Sequence, residues 1–553
     1  MNVRRYQKWA KSGLAILLAG AMMVGTAASG GGMTAQAAET ESSDTVSTQK
    51  AVTSDAASLL FTEKHITSDL TLPTIGASGT TISWKSSNPS VLSNEGKVTR
   101  PKKGAADEEV TLKGTVKMGD YAKARNFTFV VLAESEMGPT KEFALDQVEL
   151  LDDYYLTAQN SDIEFLKKFD NDRLLSRFRE TAGLDTKKIA PYGGWEDGWL
   201  GGHSVGHYLT AIAQAVKATG NADLKEKSKQ LIEGLAECQN KLGTGFIFGA
   251  KIETEGYVEK QFDILEGKTT GKTWVPWYNM HKMLTGLVDT YKYTGSKQAL
   301  EVAKKLGDWI YNRVSKWDAG TQGRVLGTEY GGMNDCLYEL YLCTRDSKHL
   351  EAAHKFDQPN LYKTVAKGGK NCLNGKHANT TIPKFLGALK RYVVLEQTGE
   401  LTKDDEAYLT NVEKFFDIAV TRHAYITGGV SVMEHFRKDN NQDGTRTQTN
   451  CESCCAHNML KMAKELYKVT GDKKYADYYE TTLRNSIMGA VKSESGAAAY
   501  FIPMATGYFK TFGNEDPAKN MFWCCTGSGM ENFTKLGDSI YFHTNDTLIV
   551  NQY

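Results

Sequence analysis

The chain carries no excess of charge of either sign. Its 553 residues include 66 lysine plus arginine and 66 aspartate plus glutamate residues, so the formal net charge is 0. Nucleic acids and anionic membranes attract proteins that have a surplus of basic side chains. This chain has no such surplus, so its composition does not indicate a partner of either kind. Beyond the N-terminal region, no apolar run is long enough to cross a bilayer. We therefore expect no nucleic-acid partner, and no membrane span once the N-terminal segment is removed.

Cysteine is absent from about the first two fifths of the chain and is unevenly distributed in the rest. There are 9 cysteines, an odd number, so they cannot all pair within the chain. Five of them lie in two short clusters, Cys451, Cys454 and Cys455 in the first and Cys524 and Cys525 in the second. A disulfide scaffold spreads its cysteines, whereas a metal site gathers them. Adjacent cysteines rarely bond to each other, because their Cβ atoms diverge.

The N-terminal segment has the pattern of a bacterial secretory signal peptide. Four basic side chains, from Arg4 to Lys11, precede the apolar run GLAILLAGAMMVG, and TAQAAET then offers small residues for cleavage near Ala37 or Ala38. A retained membrane anchor is the alternative, but glycines interrupt the run and it is short for a span. We expect residues 1–38 to be a signal peptide, and the protein to be secreted or held at the bacterial cell surface.

The length of the chain exceeds what one hydrophobic core organises, so several domains are expected. Residues 39–58 are rich in Ser, Thr, Ala and charge without periodicity, which predicts a linker. Residues 59–135 contain short alternating runs, TISWKS, VTLKGTVK and NFTFVVL, separated by turn signals. This pattern predicts a small all-β sandwich. The segment resembles the bacterial immunoglobulin-like modules of secreted glycan-degrading enzymes.

Residues 139–540 have the pattern of repeated helical hairpins. Four of the five joints place a glycine where a left-handed C-cap belongs, at Gly220, Gly295, Gly399 and Gly471, and the fifth lies at Arg345. Hairpins in this number predict an open α-solenoid or a closed toroid. Long loops rich in Gly, Trp, Tyr and His favour the toroid, because they would converge on one face. Residues 541–553 alternate like a strand and predict the start of a β-sandwich that is truncated, since a lone strand is not stable.

The two cysteine clusters suit one metal ion. In NCESCCAHNML, Glu452 and Cys454 stand two residues apart at a helix entrance and can point into the same space. Cys524 and Cys525, in FWCCTGSGMEN, could complete a tetrahedral set from another loop, as zinc requires. Structural zinc and disulfides between the two clusters explain the pattern nearly as well.

Several long blocks resemble one family of glycoside hydrolases. The blocks are VPWYNMHKMLTGLVDTY, GGMNDCLYELYLCT, NGKHANTTIPKFLGALKRY, ESCCAHNMLKMAKELYKVTGD and WCCTGSGMENFTKLGDSIYF. They are similar to glycoside hydrolase family 127, the bacterial β-L-arabinofuranosidase family, from about FALDQVELLDDYYL to the C-terminus. The resemblance implies an (α/α)6 barrel followed by β-sandwich domains, and so a mainly α fold class with the small β module before the barrel.

The resemblance also implies the site residues. Four residues become zinc ligands: Glu452, Cys454, Cys524 and Cys525. Cys524 is the nucleophile as well, and GGVSVMEHF supplies Glu434 as the general acid/base. The chain departs from the family where it has ESCC, because the family shows a single cysteine two places after the glutamate. Cys455 therefore competes with Cys454 for the ligand position.

These roles fit together chemically. A retaining glycosidase needs a nucleophile on one face of the sugar and an acid on the other. A free thiol is mostly protonated near neutral pH, but zinc coordination keeps it as a thiolate. We therefore expect an exported, zinc-dependent retaining β-L-arabinofuranosidase. It would release L-arabinose from plant-type glycans through a cysteine thioglycosyl intermediate.

Histidines in the loops and at the helix entrances are expected substrate contacts. His203 and His207 stand four residues apart in GGHSVGHYLTA, a spacing that also suits a metal pair. No nearby carboxylate completes such a site, so sugar hydroxyls are the better partners. The resemblance places His281, in YNMHK, and His377, in GKHANTT, around the substrate.

A carboxylate and several aromatic side chains complete the expected cavity. Glu329 and Tyr330 precede GGMND and could reach the same space as the histidines. Tryptophans in loops are candidate stacking platforms for a sugar ring, with core packing as the alternative. These tryptophans are Trp195, Trp274 and Trp277.

Three other functions compete with this interpretation. A relative within the family could cleave a different sugar, because loop residues change specificity without touching the cysteines. A non-catalytic glycan-binding protein could use the same zinc structurally, although the presence of both Glu434 and Cys524 argues against it. An α/α-barrel lyase or epimerase would give an unsaturated or isomerised product.

Overall fold

The computed structural model describes residues 43–61, 65–66, 69–102, 105–133, 140–250, 257–492, 494–513, 522–544 and 547–552. The predicted signal peptide at 1–38 lies outside these ranges. The chain divides into two compact units, Met1–Glu134 and Ser135–Tyr553. No helix within the described ranges is both long and apolar enough to cross a membrane.

The first unit contains one helix and a sheet. Its elements are α1 (Ser43–Ser58), β1 (His65–Ile66), β2 (Thr81–Ser86), β3 (Glu108–Met118) and β4 (Tyr121–Val131). The strands lie in the order β1-β4-β3-β2, antiparallel except for the β1–β4 pair. Alternate residues of β3, such as Val110, Leu112 and Val116, are fully buried on one face of the sheet.

Helix α1 corrects the predicted linker. Val52, Ala56 and Leu59 are buried with Ile82 of β2 and Val116 of β3 in one apolar cluster. These three residues recur at the spacing of one helical face, a short stripe inside a polar sequence. The linker prediction is therefore wrong over Ser43–Ser58. Within the described part of this unit, the sheet is covered by a helix and loops, where a sandwich would place a second sheet.

The second unit is mostly helical, as predicted. Its helices are α2 (Asp153–Lys167), α3 (Asn171–Thr181), α4 (His203–Thr219), α5 (Ala222–Leu242), α6 (Lys260–Leu265), α7 (Pro276–Thr294), α8 (Lys297–Val314), α9 (Ala319–Leu326), α10 (Met333–Thr344), α11 (Ser347–His354), α12 (Pro359–Ala366), α13 (Ala378–Thr398), α14 (Glu406–His423), α15 (Ser453–Thr470), α16 (Lys473–Thr482), α17 (Met488–Ala490) and α18 (Cys524–Phe533). A π-helical turn, Leu483–Ile487, joins α16 to α17. Short 3-10 turns occupy Leu145–Gln147, Trp195–Asp197 and Asp443–Thr445.

Six of the described helices contact one another in a closed ring. Helix α4 packs on α7, α7 on α10, α10 on α13, α13 on α15, α15 on α18, and α18 returns to α4. Most of these helices also pack against the helix that follows them: α5, α8, α11, α14 and α16. We call α4, α7, α10, α13, α15 and α18 the inner helices. A closed ring of hairpins is the arrangement of a toroid, whereas an open solenoid would leave its first and last repeats apart.

The predicted joints carry the predicted caps. The four glycines have φ between +66° and +75° in the left-handed region, where a residue without Cβ is favoured: Gly220, Gly295, Gly399 and Gly471. Arg345, at the fifth joint, has φ +57°. The helices that follow four of the joints begin with a side-chain N-cap: Asn221, Ser296, Asp346 and Asp472.

Glycines bring α4 and α7 close together. A Cβ on Gly206 of α4 would lie 2.0 Å from the backbone oxygen of Lys282, and one on Gly286 of α7 would lie 2.5 Å from the backbone oxygen of Gly206. Neither position tolerates a larger residue without separating the two helices. The close approach holds the first turns of α4 and α7 side by side.

The strand predicted at the end of the chain has partners. Strand β5 (Lys141–Glu142) pairs with β6 (Tyr541–His543), and β6 pairs with β7 (Leu548–Val550), all antiparallel. Phe542 of β6 is buried on the helical core. The structure therefore joins the beginning and end of this unit in one small sheet.

Candidate active site

The candidate site lies at the N-terminal ends of the inner helices. Cys524 and Cys525 are the first two residues of α18, Cys454 is the second residue of α15, and His377 caps α13. The first turn of a helix carries unpaired N–H groups and a partial positive charge. Several such ends converging on one place favour anionic side chains there.

Four buried acidic side chains form a compact group at this end. The ligand atoms of Glu452, Cys454, Cys524 and Cys525 all lie within 4.8 Å of one another. The sulfurs of Cys454 and Cys525 are 3.2 Å apart, and those of Cys524 and Cys525 are 4.0 Å apart. Tetrahedral zinc with bonds of about 2.3 Å to sulfur needs separations of about 3.8 Å. We call these four residues the thiol group.

Side-chain contacts show which cysteine of the first cluster belongs to the thiol group. Cys454 faces the site and accepts a hydrogen bond from Ser528 Oγ at 3.1 Å. Its neighbour Cys455 packs into the helical core and donates to Glu452 Oε2 at 3.3 Å. Cys451 lies in a separate apolar cluster. The structure thus includes Cys454 in the thiol group and excludes Cys451 and Cys455 from it.

The cysteines are free thiols. All nine lie among the described residues, and none forms a disulfide. The 3.2 Å between Cys454 and Cys525 is well beyond the bond length of about 2.05 Å. Disulfides between the two clusters, the alternative raised by the sequence, are therefore not formed here.

The electrostatics of the thiol group suit a cation. Burial raises the pKa of Glu452 well above its usual range, and the neighbouring Cys524 raises it further. Burial likewise raises the pKa of Cys454. Hydrogen bonds from Cys454 and then Cys525 hold the pKa of Cys524 below its ordinary value. Three thiols and a carboxylate, buried together, are a donor set that fits Zn²⁺.

Glu434 lies on a loop with an unusual backbone. Its φ is +65°, and the nearby Ser431 and Met433 have φ of +85° and +44°. Such angles cost about 1 to 3 kcal/mol for a residue with a Cβ and occur mainly where function requires them. Backbone hydrogen bonds hold the loop: Ala378 N donates to Glu434 O at 2.7 Å, and Met433 N donates to Thr449 O at 2.8 Å.

The Glu434 carboxylate binds two side chains and is still partly open to solvent. Tyr500 Oη donates to Oε1 at 2.5 Å, and His377 Nε2 lies 3.3 Å from Oε2. His377 Nδ1 accepts from Thr380 N at 3.2 Å, which leaves Nε2 as the nitrogen that donates to Glu434. The hydrogen bond from His377 lowers the pKa of Glu434. Burial alone would lower the pKa of His377, but its hydrogen bond to Glu434 and the negative charges of Glu329, Glu434 and Cys524 together raise it.

Tyr500 connects the loop of Glu434 to the thiol group. Its hydroxyl lies 3.8 Å from Cys524 Sγ, and its backbone oxygen accepts from Ser453 N at 3.0 Å. Its ring packs edge-on against Trp523 at 5.7 Å between centroids. The sequence analysis did not predict a role for Tyr500, because nothing in AAAYFIPM distinguishes it from the other 25 tyrosines.

Comparison with known families identifies the second unit. The family profile described as Beta-L-arabinofuranosidase, GH127 catalytic domain, matches residues 147–538. The chain belongs to glycoside hydrolase family 127. A profile for an atrophied bacterial Ig domain matches residues 46–134, a range that includes most of α1.

Solved GH127 structures share the fold. The GH127 beta-arabinofuranosidase BT3674 has a TM-score of 0.57 at 19% identity, over 75% of this chain and 64% of its own. Ara127N-Se, a GH127 beta-L-arabinofuranosidase from Geobacillus stearothermophilus, has a TM-score of 0.52 at 17% identity, over 73% of this chain and 67% of its own. This chain thus spans just under two thirds of the length of BT3674. No curated protein matches it.

The two histidines of α4 in the GH127 unit are buried and bound to carboxylates. His203 Nδ1 lies 2.6 Å from Glu196 Oε1, and His207 Nδ1 lies 2.5 Å from Glu531 Oε1. Burial lowers the pKa of His207 to about 4, so the ring is neutral near pH 7. Neither histidine belongs to a metal-binding group of the described residues.

Glu531 connects three inner helices beneath the thiol group. Its second oxygen lies 3.3 Å from His457 Nε2, and His457 Nδ1 lies 2.6 Å from Asn532 Oδ1. Glu531 and Cys524 share α18, His457 and Cys454 share α15, and His207 belongs to α4. Removing the carboxylate would uncouple the helices that carry the sulfurs.

His281 and Glu329 line the interior near the site. His281 is buried under Gly331 and Gly332, where an added Cβ would lie 2.5 Å and 2.9 Å from its ring nitrogens. Burial raises the pKa of Glu329, while His377 lowers it. Glu329 is therefore close enough to His377 for the two charges to interact, and His281 is held by a glycine pair.

Two of the predicted contacts are packing residues. Tyr330 is fully buried in the main core, donates to Gln358 Oε1 at 3.2 Å and packs on Phe356. Trp277, the second residue of α7, is also fully buried and packs on Phe262 and other rings. Neither side chain is free to touch a sugar. This is the core-packing alternative for Trp277, whereas the expected sugar contact of Tyr330 does not fit its place in the core. Trp195 and Trp274, in contrast, are 39% and 45% exposed.

Proposed function

We propose that the chain is an exported, zinc-dependent retaining β-L-arabinofuranosidase. The observation that carries the proposal is the position of Tyr500, whose hydroxyl touches both the Glu434 carboxylate and Cys524 Sγ. One side chain thereby joins the proton donor that a glycosidase needs to the sulfur that would attack the sugar.

The separation of the two reactive atoms supports a retaining reaction. Tyr500 Oη lies 2.5 Å from Glu434 Oε1 and 3.8 Å from Cys524 Sγ, so oxygen and sulfur are at most about 6.3 Å apart. Retaining enzymes keep their two groups about 5 to 5.5 Å apart, whereas inverting enzymes leave room for a water at about 6.5 to 9.5 Å. The geometry therefore favours direct attack by the sulfur.

The thiol group is the proposed zinc site. Glu452, Cys454, Cys524 and Cys525 would hold the ion. Bound zinc would keep the cysteines ionised near neutral pH and so supply a thiolate where a free thiol would be protonated. Ser528, which donates to Cys454 Sγ, would orient that sulfur from behind.

The first step forms a thioglycoside on Cys524. The Cys524 sulfur attacks the anomeric carbon and forms a C–S bond as the glycosidic C–O bond breaks. Glu434 passes to the departing oxygen the proton that the Glu434–His377 pair holds at rest, so the aglycone leaves as an alcohol. Cys524 is buried at the base of the site, while Glu434 remains partly exposed, which suits a sugar lying between them.

The second step releases the sugar. Glu434, now a carboxylate, takes a proton from a water molecule whose oxygen attacks the anomeric carbon, and the C–S bond breaks to restore the Cys524 thiolate. Two inversions at one carbon return the original configuration. Tyr500 remains within reach of both groups throughout and stabilises whichever carries the negative charge.

His377 supports the proton transfers of Glu434. The resting carboxylate is stabilised by the hydrogen bond from His377 Nε2, and the histidine is in turn more basic than usual. The pair therefore retains one proton to a higher pH than an isolated glutamate would. The negative charge of Glu329 also raises the pKa of His377 and adds to this effect.

The substrate class follows from the family and the lining of the site. Solved relatives are named as β-arabinofuranosidases, and the GH127 profile matches residues 147–538 of this chain. We infer that the sugar is L-arabinose in a plant-type glycan. The basic and apolar segments at the N-terminus support export to the cell surface or beyond.

Metal analysis combined with aryl glycosides tests the proposal. The purified full chain should contain about one zinc per molecule and hydrolyse p-nitrophenyl β-L-arabinofuranoside, with an initial product that keeps the β configuration by NMR. A chelator should abolish hydrolysis, and zinc should restore it. Faster cleavage of another aryl glycoside would identify a relative with different specificity. Bound zinc without hydrolysis of any glycoside would contradict the enzyme and favour a glycan-binding protein.

A further inference from the structure

Two tryptophans form an exposed corner on the GH127 unit. Trp195 is 39% exposed and Trp274 is 45% exposed. Their ring centroids lie 6.2 Å apart, and the ring planes meet at 62°. Large aromatic side chains left in water are costly unless something covers them. Trp277, only three residues after Trp274, is by contrast fully buried.

Backbone contacts place Trp195 beside the predicted nucleophile. Trp195 N donates to Phe522 O at 3.1 Å, and Phe522 N donates to Gly193 O at 3.2 Å. Cys524 follows Phe522 by two residues, a span of at most about 7.6 Å along the chain. The backbone of Trp195 is therefore hydrogen-bonded to the chain two residues before Cys524.

Trp274 is linked to the same residues through α7. It stands two residues before Pro276, where α7 begins, and Tyr278 in the first turn of that helix is buried. The Tyr278 ring lies 6.2 Å from the ring of His203, which in turn lies 5.7 Å from Phe522. The tryptophan corner is thus continuous with the residues that surround the thiol group.

We propose that Trp195 and Trp274 bind the second sugar of the substrate, the one that leaves with the glycosidic oxygen. This deepens the proposed function and depends on it for the position of the bond that breaks. A sugar ring has an apolar C–H face that packs on an indole, while its hydroxyls stay in water. Two side chains are far too small for a protein partner, which needs about 800 Å² on each side. The site therefore selects a saccharide aglycone.

The test compares a short and a long substrate. The ratio of kcat/KM for a β-L-arabinofuranosyl-L-arabinose disaccharide to that for methyl β-L-arabinofuranoside is measured for the full chain and for Trp195→Ala and Trp274→Ala. We expect the ratio to fall about tenfold in each variant, the scale of one apolar contact in a pocket. An unchanged ratio in both variants would overturn the proposal.

Two other exposed aromatic residues complete the test: Tyr154 is the control, and Phe509 is the alternative contact for the second sugar. Tyr154, 56% exposed, lies on the first turn of α2, shortly after Asp146, which pairs with Lys217 in the last turn of α4 at the opposite end of the helices. Tyr154→Ala should leave the ratio unchanged. Phe509 is 91% exposed and lies nine residues after Tyr500. If Phe509→Ala lowers the ratio and the tryptophan variants do not, the second sugar binds near Phe509 and the proposal is overturned.

A binding measurement separates this proposal from the proposed function. If the wild-type protein cleaves neither substrate, the proposed hydrolysis fails, and calorimetric titration with the same disaccharide then tests the corner alone. Affinity about tenfold weaker in the Trp195→Ala/Trp274→Ala variant would support a saccharide site there. Equal affinity in both proteins, or no binding to the wild type, would overturn it.

Discussion

The two ends of the inner helices both bury ionisable side chains, but they neutralise them differently. At the N-terminal ends, the four members of the thiol group are acidic, and none has a lysine or arginine partner within the described residues. At the C-terminal halves, a cavity of about 180 Å³ is lined by six lysines among its acidic residues. These lysines are Lys292, Lys390, Lys461, Lys464, Lys468 and Lys535.

The lysine-rich end provides its own counter-ions. Lys390 lies 2.6 Å from Glu339 Oε1, and Lys292 lies 2.7 Å from the other oxygen of the same carboxylate. Lys464 bridges Asp538 at 2.7 Å and Glu142 at 3.3 Å. Cations at helix C-termini also match the negative end of the helix dipole, as anions match the positive end. The lysine-rich end thus contains both cations and anions, whereas the thiol group has only acidic members and could hold a metal ion.

The largest expected effect is at the thiol group, from Cys524→Ser. A serine hydroxyl is far less nucleophilic than a thiolate, so hydrolysis of the aryl arabinofuranoside should fall at least about 10⁴-fold. Circular dichroism should show an intact fold. The matched control is Cys372→Ser, which changes a half-buried cysteine before α13 and should keep wild-type activity. Near-normal turnover in Cys524→Ser would refute the nucleophile.

Lys464→Met removes one cation from the lysine-rich end. Near neutral pH, where Glu142 keeps its proton, the variant leaves the buried Asp538 carboxylate without the cation that lies 2.7 Å from it, which should lower the free energy of unfolding by about 3 kcal/mol. Denaturant titration measures the loss. Zinc content should stay the same, because the thiol group lies at the opposite ends of the helices. Loss of zinc in a folded Lys464→Met protein would show that the two ends depend on each other.

Local signals in the sequence predict the hairpins well. A glycine after a periodic helix, as at Gly220 or Gly471, specifies a left-handed cap whatever packs around it. The close spacing of Glu452 and Cys454, together with the adjacent pair Cys524 and Cys525, likewise indicated a shared site. Closure of the ring required more, because only the packing of α18 on α4 excludes a solenoid.

The remaining features depend on tertiary contacts that a sequence does not display. Trp274 and Trp277 look alike in WVPW, yet α7 begins at Pro276, and its helical phase turns only the second indole into the core. Helix α1 depends on three apolar residues, Val52 and Ala56 within it and Leu59 just after it, whose partners lie in β2 and β3. Tyr500 acts through the distant Glu434 and Cys524, so no local pattern could mark it.

The smallest expected effect is a change in stability at the lysine-rich end, where Glu142 can act through its charge or through its hydrogen bond. Burial, and then repulsion by Asp538, raise the pKa of Glu142 from 4.5 to about 8, although Lys464 and Lys468 oppose the shift. Between those pH values the folded protein keeps a proton that the unfolded chain has released, so stability declines as the pH rises through this window. Below pH 4.5 both states are protonated, and the residue has no effect.

Glu142→Gln should remove that decline. Its amide can still accept the hydrogen bond that Ser539 N donates to Glu142 Oε1 at 3.0 Å, so the contact survives while the ionisation does not. We expect the variant to exceed the wild type in unfolding free energy by roughly 1 kcal/mol at pH 8.5 and to equal it near pH 4, as measured by denaturant titration at both values. A difference of the same size at both pH values would mean that the effect comes from the contact. A less stable variant at pH 8.5 would mean that the negative charge of Glu142 is needed by Lys464, and that the lysine-rich end is as short of anions as the thiol group is of cations.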